Sequence, residues 1–322
     1  MQRAPVDARG ASHDDERVGF VVTPEDRDWF DRCRRSWDFG ARVRRNLERS
    51  VTRVPALDRI VRNALAVYYF PGMWTWSRSI VEPLVERSLH DAGFPYPAFD
   101  FVQAYARFAE TVDHFTPLRV ETEVDAHVLH PERSGAELAA PDGGAVLYRD
   151  RIHLFVVEET SGDDAYWLVV HRMLDDQHGW ASPDQLALDE RALLACWAWE
   201  HVFLVSVAGV QYNEVRVSPP EFRRERIAYT DAEKSGAARR LAIRAAQMIA
   251  APPLGLDPTP QWEHCARCEF RAPCVALNRG EDATALLAER YRPRPPDELE
   301  PGRLGGQSWG MGRGAAPPRF GD

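Results

Sequence analysis

The chain has 322 residues, 44% of them hydrophobic, and carries a net charge of −9, enough apolar material for one large domain or two small ones. No run of about 18 uncharged apolar residues occurs, which argues against a membrane-spanning helix. The N-terminal stretch lacks the apolar core of a signal peptide. The protein is therefore expected in the cytoplasm, where cysteines serve metals or catalysis more often than disulfides. The acidic total hides an asymmetry. Ten Arg face three acids between Arg32 and Arg62, whereas eight Arg face twenty acids between residues 101 and 220. A basic segment of that kind can touch phosphate, but the whole chain is no general polyanion binder. The 39 Arg are accompanied by one lysine, Lys234, so chemistry that requires a lysine has a single candidate.

In chain order, residues 1–20 read as a disordered polar leader. Thr23-Pro24-Glu25-Asp26 then places a capping hydroxyl, an N1 proline and two acids at a helix start. Trp29, Phe30, Cys33 and Trp37 follow at helical spacing, which puts Cys33 on the buried face of that helix. Further helices are predicted over 57–69, 79–90 and 98–115, with an aromatic corner between Tyr68 and Trp76. Alternating runs over 117–129, 145–158 and 166–174 predict three antiparallel strands joined by polar turns, a meander. A helix over 185–205, a fourth strand over 208–218 and an amphipathic helix over 231–250 come next, with a last short helix near 282–291. Residues 292–322 form a Gly- and Pro-rich tail, expected to be flexible, whose Trp309 and Phe320 suit docking to a protein partner.

Cys265, Cys268 and Cys274 form a C-x2-C-x5-C run. A loop of this kind can aim several thiolates at one centre, and a metal holds them deprotonated. Three ligands do not complete a tetrahedral site or a cubane. Cys33 is the natural fourth, because Cys196 sits within an apolar helix and reads as packing. On spacing alone an iron–sulfur cluster, a zinc site (with Cys33 or His264) and a set of free thiols all stay open.

An early helix with one cysteine, a strand meander, and a late C-x2-C-x5-C run resemble the iron–sulfur members of the PD-(D/E)XK superfamily. These are the CRISPR-associated RecB-like exonucleases and AddB nuclease domains. The likeness covers about residues 20–280 and rests on Thr23–Phe39 and on Cys265-Ala266-Arg267-Cys268-Glu269-Phe270-Arg271-Ala272-Pro273-Cys274. It implies an α/β, RecB-like restriction-endonuclease fold: an antiparallel meander in a mixed sheet flanked by helices, spanning 21–291, with the cysteine segment at 260–278. It also implies a 4Fe-4S cluster on Cys33, Cys265, Cys268 and Cys274, with zinc as the alternative. Members of the group carry an acid in the second strand and acid-x-Lys in the third, which hold Mg²⁺ and polarise water.

Here the first acid position falls on His153 and the second pair on His171 and Met173, or in the other register on Val170 and Arg172. Neither register supplies an acid or a lysine. The resemblance thus implies a degenerate nuclease, or pseudoenzyme, that binds nucleic acid or acts as a scaffold in a DNA-processing or defence assembly. Arg42, Arg44 and Arg45 are the candidate phosphate contacts. Two other readings remain: an active metal-dependent exonuclease with carboxylates recruited from Asp150, Asp175 or Asp189, and a non-nucleic-acid interaction or redox-sensing protein.

Overall fold

The computed structural model describes residues 18–50, 57–159, 164–174, 179–252 and 255–294. Its first element is strand β1 (Val18–Val22), which takes in residues 18–20 of the expected leader; residues 1–17 lie outside the described ones. Thr23 then starts helix α1 (Pro24–Arg32) through a closed capping box, its hydroxyl accepting the Asp26 amide while the Asp26 carboxylate accepts the Thr23 amide. Helix α2 (Arg34–Gly40) follows after one extended residue, Cys33. Cys33 is buried as expected, but it stands in the joint between two helices rather than on the face of one. Its N–H still bonds to the Trp29 carbonyl, and its own carbonyl accepts the Trp37 amide, so the break leaves no orphaned backbone group there.

Strand β2 (Leu47–Arg49) precedes three helices, α3 (Leu57–Tyr68), α4 (Arg78–Asp91) and α5 (Ala98–Val112), where apolar periodicity predicts them. The meander is β3 (Thr116–His127), β4 (Ala145–Glu159) and β5 (Asp164–Met173). The single helix expected over 185–205 is instead two, α6 (Pro183–Ala187) and α7 (Glu190–Phe203). Asp189 separates them, because its carboxylate accepts the amides of Arg191 and Ala192 and so begins a new helix. Strands β6 (Gly209–Val217) and β7 (Pro220–Ala228) and helix α8 (Asp231–Ile249) follow. The chain then runs through α9 (Trp262–Arg267), α10 (Arg271–Asn278), α11 (Thr284–Arg290) and strand β8 (Tyr291–Pro293). Residues 292 and 293 of the expected tail thus belong to β8, and residues 295–322 lie outside the described ones.

Strand β4 is the spine of the main sheet. β3 pairs antiparallel along one edge, while β1 (parallel) and β5 (antiparallel) share the two ends of the other. β6 runs parallel to β5, and β7 closes the sheet antiparallel to β6. The architecture is thus a mixed α/β fold, a mixed sheet flanked by helices. One face packs on α1, α2 and α6–α8 through Phe30, Trp37, Trp199 and Leu241. The other packs on α3–α5 through Leu65, Leu89, Phe101 and Tyr105. Because β6 lies between these layers, almost all of its residues are buried, polar ones included.

A third, small core of Phe39, Phe270 and Tyr291 joins the chain ends. β2 pairs with β8 there, and Gly40 permits the approach, since a Cβ on it would stand 2.5 Å from the Trp29 ring and 3.1 Å from that of Phe270.

Candidate functional site

The ladder between β4 and β5 runs as far as the Leu154–Val169 pair. Just beyond it lie the two histidines at the positions of the expected metal-binding acids. His153 Nδ1 accepts the backbone amide of His171 at 3.1 Å, a side chain serving where the strand ladder has ended. The two rings lie nearly parallel with centroids 5.8 Å apart, and Tyr69 lies nearly parallel to His171 at 5.9 Å. His171 Nδ1 accepts from Asn213 Nδ2 at 3.0 Å, and the same amide group donates to Tyr105 Oη at 2.8 Å. Tyr105 and Tyr69 hydroxyls meet at 2.7 Å, and Tyr69 donates to Asp113 Oδ2 at 2.8 Å. Arg224 closes the chain on Asp113 at 2.9 Å.

The electrostatics follow from burial. His171 is pushed down to about 3, by desolvation first and then by Arg224 and Arg62. Desolvation, Arg62 and His171 itself hold His153 well below the ordinary imidazole range. Both rings are neutral at pH 7, and each Nδ1 is already an acceptor, so each proton sits on Nε2. A neutral imidazole used in this way has no lone pair left to give a metal. Met173 packs against the apolar layer under α3–α5, Val170 packs against the opposite layer, and Arg172 lies 3.6 Å from the buried Glu214. Neither register places an acid or a lysine at the family's positions, and the Glu214 carboxylate beside Arg172 is also held by Arg223.

The candidates for relocated carboxylates are likewise occupied. Asp150 accepts from Tyr148 Oη at 3.2 Å and from the Arg151 amide at 2.7 Å, and burial raises its pKa. Asp189 is the cap of α7 and also accepts from Tyr212. Asp175, Asp176 and His178 lie outside the described residues. Sequence reasoning missed Asn213, Tyr105 and Arg224. The available signal was the polar run Gln211, Asn213 and Glu214 within a strand too central to expose either face, since buried polar groups require partners.

The second site is the junction of the chain ends. The pKa of Cys268 is raised by burial first, and the Cys33 and Cys274 thiols add to that rise. The Cys268 thiol points to Ser36 Oγ at 4.0 Å. Arg35 spans the joint: Nε donates to the Leu256 carbonyl at 2.9 Å, and Nη1 to Asn278 Oδ1 at 2.7 Å and to Cys274 Sγ at 3.6 Å. Cys265 lies at the centre of α9, partly buried. His264, the alternative zinc ligand, has a buried Nε2 without a hydrogen-bond partner. Among the described residues, no group of three or more His, Cys, Asp or Glu side chains is arranged to hold a single metal ion. Cys196 is fully buried in α7, as packing requires.

The basic segment behaves differently from expectation. Arg44 donates to Asp38 Oδ1 through Nε and Nη2, at 2.9 and 2.6 Å, and Arg45 pairs with Asp38 Oδ2 at 3.0 Å. Arg44 also lies over Trp37, and Arg45 over Phe39. The buried Asp38 pairs with both arginines at the joint between α2 and β2, one carboxylate for two guanidinium groups, and Arg45 stays exposed; Arg42 too has a partner within the protein.

With its sheet order and two helical layers, the chain belongs to the mixed α/β class. No protein-family model matches the sequence, and no curated protein matches it. Two solved structures are similar in outline. One, a putative exonuclease from Eubacterium rectale, has a TM-score of 0.43 and 8% identity over 84% of this chain and 93% of that one. The other, SSO0001, has a TM-score of 0.32 and 12% identity over 68% of this chain and 84% of that one. Among the described residues, no helix is long and apolar enough to cross a membrane.

Proposed function

We propose that the protein is a RecB-like, nuclease-fold component without nuclease chemistry, which binds nucleic acid or acts as a scaffold for a DNA-processing assembly. The observation that carries the reading is the closed network from His153 through His171, Asn213, Tyr105 and Tyr69 to Asp113. It fills the strand positions where the family pattern expects metal-binding acids. Mg²⁺ requires carboxylate oxygen, and neither imidazole supplies it. Further support comes from the meander followed by a helix and a strand parallel to β5.

Cys33, Cys265, Cys268 and Cys274 are the residues that would hold a 4Fe-4S cluster. Four thiolates suit either a 4Fe-4S cubane or a zinc tetrahedron, and the preference for the cluster rests on the cysteine layout in the sequence. When bound, the group would supply a covalent tie between segments more than two hundred residues apart. Phe270, Tyr291 and Arg35 already align them.

The reading predicts that linear and circular DNA, single- or double-stranded, stay intact with Mg²⁺ or Mn²⁺, for wild type and for His153→Ala alike. Metal-dependent cleavage by the wild type, lost in His153→Ala, would overturn it and restore the exonuclease reading.

A further inference from the structure

The arginines the sequence marks for phosphate contact are engaged within the protein, Arg44 and Arg45 on Asp38, whereas others nearby have no carboxylate partner among the described residues. Arg32 and Arg34 flank Cys33, Arg267 directly precedes Cys268, and Arg271 follows it by three residues. All four are exposed, and among the described residues none has a carboxylate within ion-pair distance. Cys268 Sγ lies 4.0 Å from Ser36 Oγ and Arg35 reaches Cys274 Sγ at 3.6 Å, so the two segments that carry these four arginines meet at one junction. Arg34 lies over the Phe30 ring at 4.6 Å, which holds its guanidinium on the surface without neutralising it. Of the acids in these segments, Asp31 is taken by Arg244 at 2.6 Å, Glu269 has a partner within the protein, and Glu263 beside Trp262 is exposed.

Two residues before His264 stands Trp262, 90% exposed and the most exposed large apolar side chain among the described residues. A tryptophan left in water on the same short helix as the exposed Arg267 is a poor packing choice. It is a good stacking platform for an unpaired base next to a phosphate backbone. A duplex hides its base faces, so the aromatic favours a single strand.

We propose that this face of the cysteine junction binds single-stranded nucleic acid, with Trp262 stacking on a base and Arg32, Arg34, Arg267 and Arg271 contacting phosphates. The assignment rests on the nucleic-acid reading above and adds to it the site and the strandedness. The test is fluorescence anisotropy of the full chain with a labelled single-stranded oligodeoxynucleotide across a salt series, with a duplex and polyglutamate as competitors. Trp262→Ala loses about tenfold in affinity with the salt slope unchanged. Arg267→Glu combined with Arg271→Glu flattens the slope by about 1.4, two contacts' worth on a single strand. All these side chains are exposed, so unchanged thermal melting certifies the fold.

Wild-type binding that both variants retain in full overturns the site alone. Displacement by duplex or polyglutamate as effective as by single strand overturns the strandedness. No binding by the wild type removes the nucleic-acid reading itself, and this proposal with it.

Discussion

Asp113→Ala is expected to destabilise the protein by about 3–5 kcal/mol, measured as the shift in its urea unfolding midpoint. The reason lies in the company Asp113 keeps. Arg224 is buried, lies near the rings of Phe108 and Phe115, and has Asp113 as its ion-pair partner. Burial opposes the Arg224 charge, while Tyr69 and Asp113 hold it protonated. Burial raises the pKa of Asp113 more than Arg224 lowers it, so the attraction within the pair only partly offsets the cost of desolvating the acid. Removing the acid leaves an uncompensated guanidinium in an apolar layer. Adding Arg224→Met removes that charge as well, and most of the lost stability should return. If the double variant instead loses the sum of the two single losses, the pair is not the coupled unit described here.

Stability should also fall steeply in mild acid, and the histidines set the window. In the unfolded chain an imidazole protonates near 6.5, whereas folded His171 resists protonation until about 3. Over that range the unfolded state binds more protons, so stability is fully present above about pH 6.5 and is lost as pH falls. The slope from this one residue is about 1.4 kcal/mol per pH unit. His153 adds a loss of the same sign. His171→Gln removes the His171 share, so its stability profile between pH 6.5 and 5 should be flatter than that of the wild type. Parallel profiles would mean that His171 is solvated and that the network is open.

Local rules made the scaffold readable. Thr23-Pro24-Glu25-Asp26 carries its capping box in four letters, and the three meander strands alternate as a half-buried sheet must. β7 was not readable, because Pro220–Ala228 is mostly charged and its arginines are held by acids elsewhere, Arg226 by Glu158 for example. That histidines stand at 153 and 171, where the resemblance expects acids, was visible from residue identity alone. What replaced them was not, since Asn213 reaches Tyr105 across 108 residues of chain. The ion pairs of the basic segment were not readable either. A single acid, Asp38, lies between Trp37 and Phe39, and both neighbours are buried; the acid is therefore buried with them and pairs with Arg44 and Arg45, the latter still exposed. The approach of Cys33 to Cys268 followed only from counting ligands.

That approach is the centre of the account, and metal content tests it most directly. Protein purified without oxygen, with a Cys33→Ala variant beside it, should be assayed for iron, sulfide and zinc. The account predicts a brown protein with about four irons and four sulfides per chain, lost in the variant. Zinc kept in the variant, or no metal in either, would contradict it and leave the chain ends joined only by Arg35, Phe270 and the β2–β8 pairing.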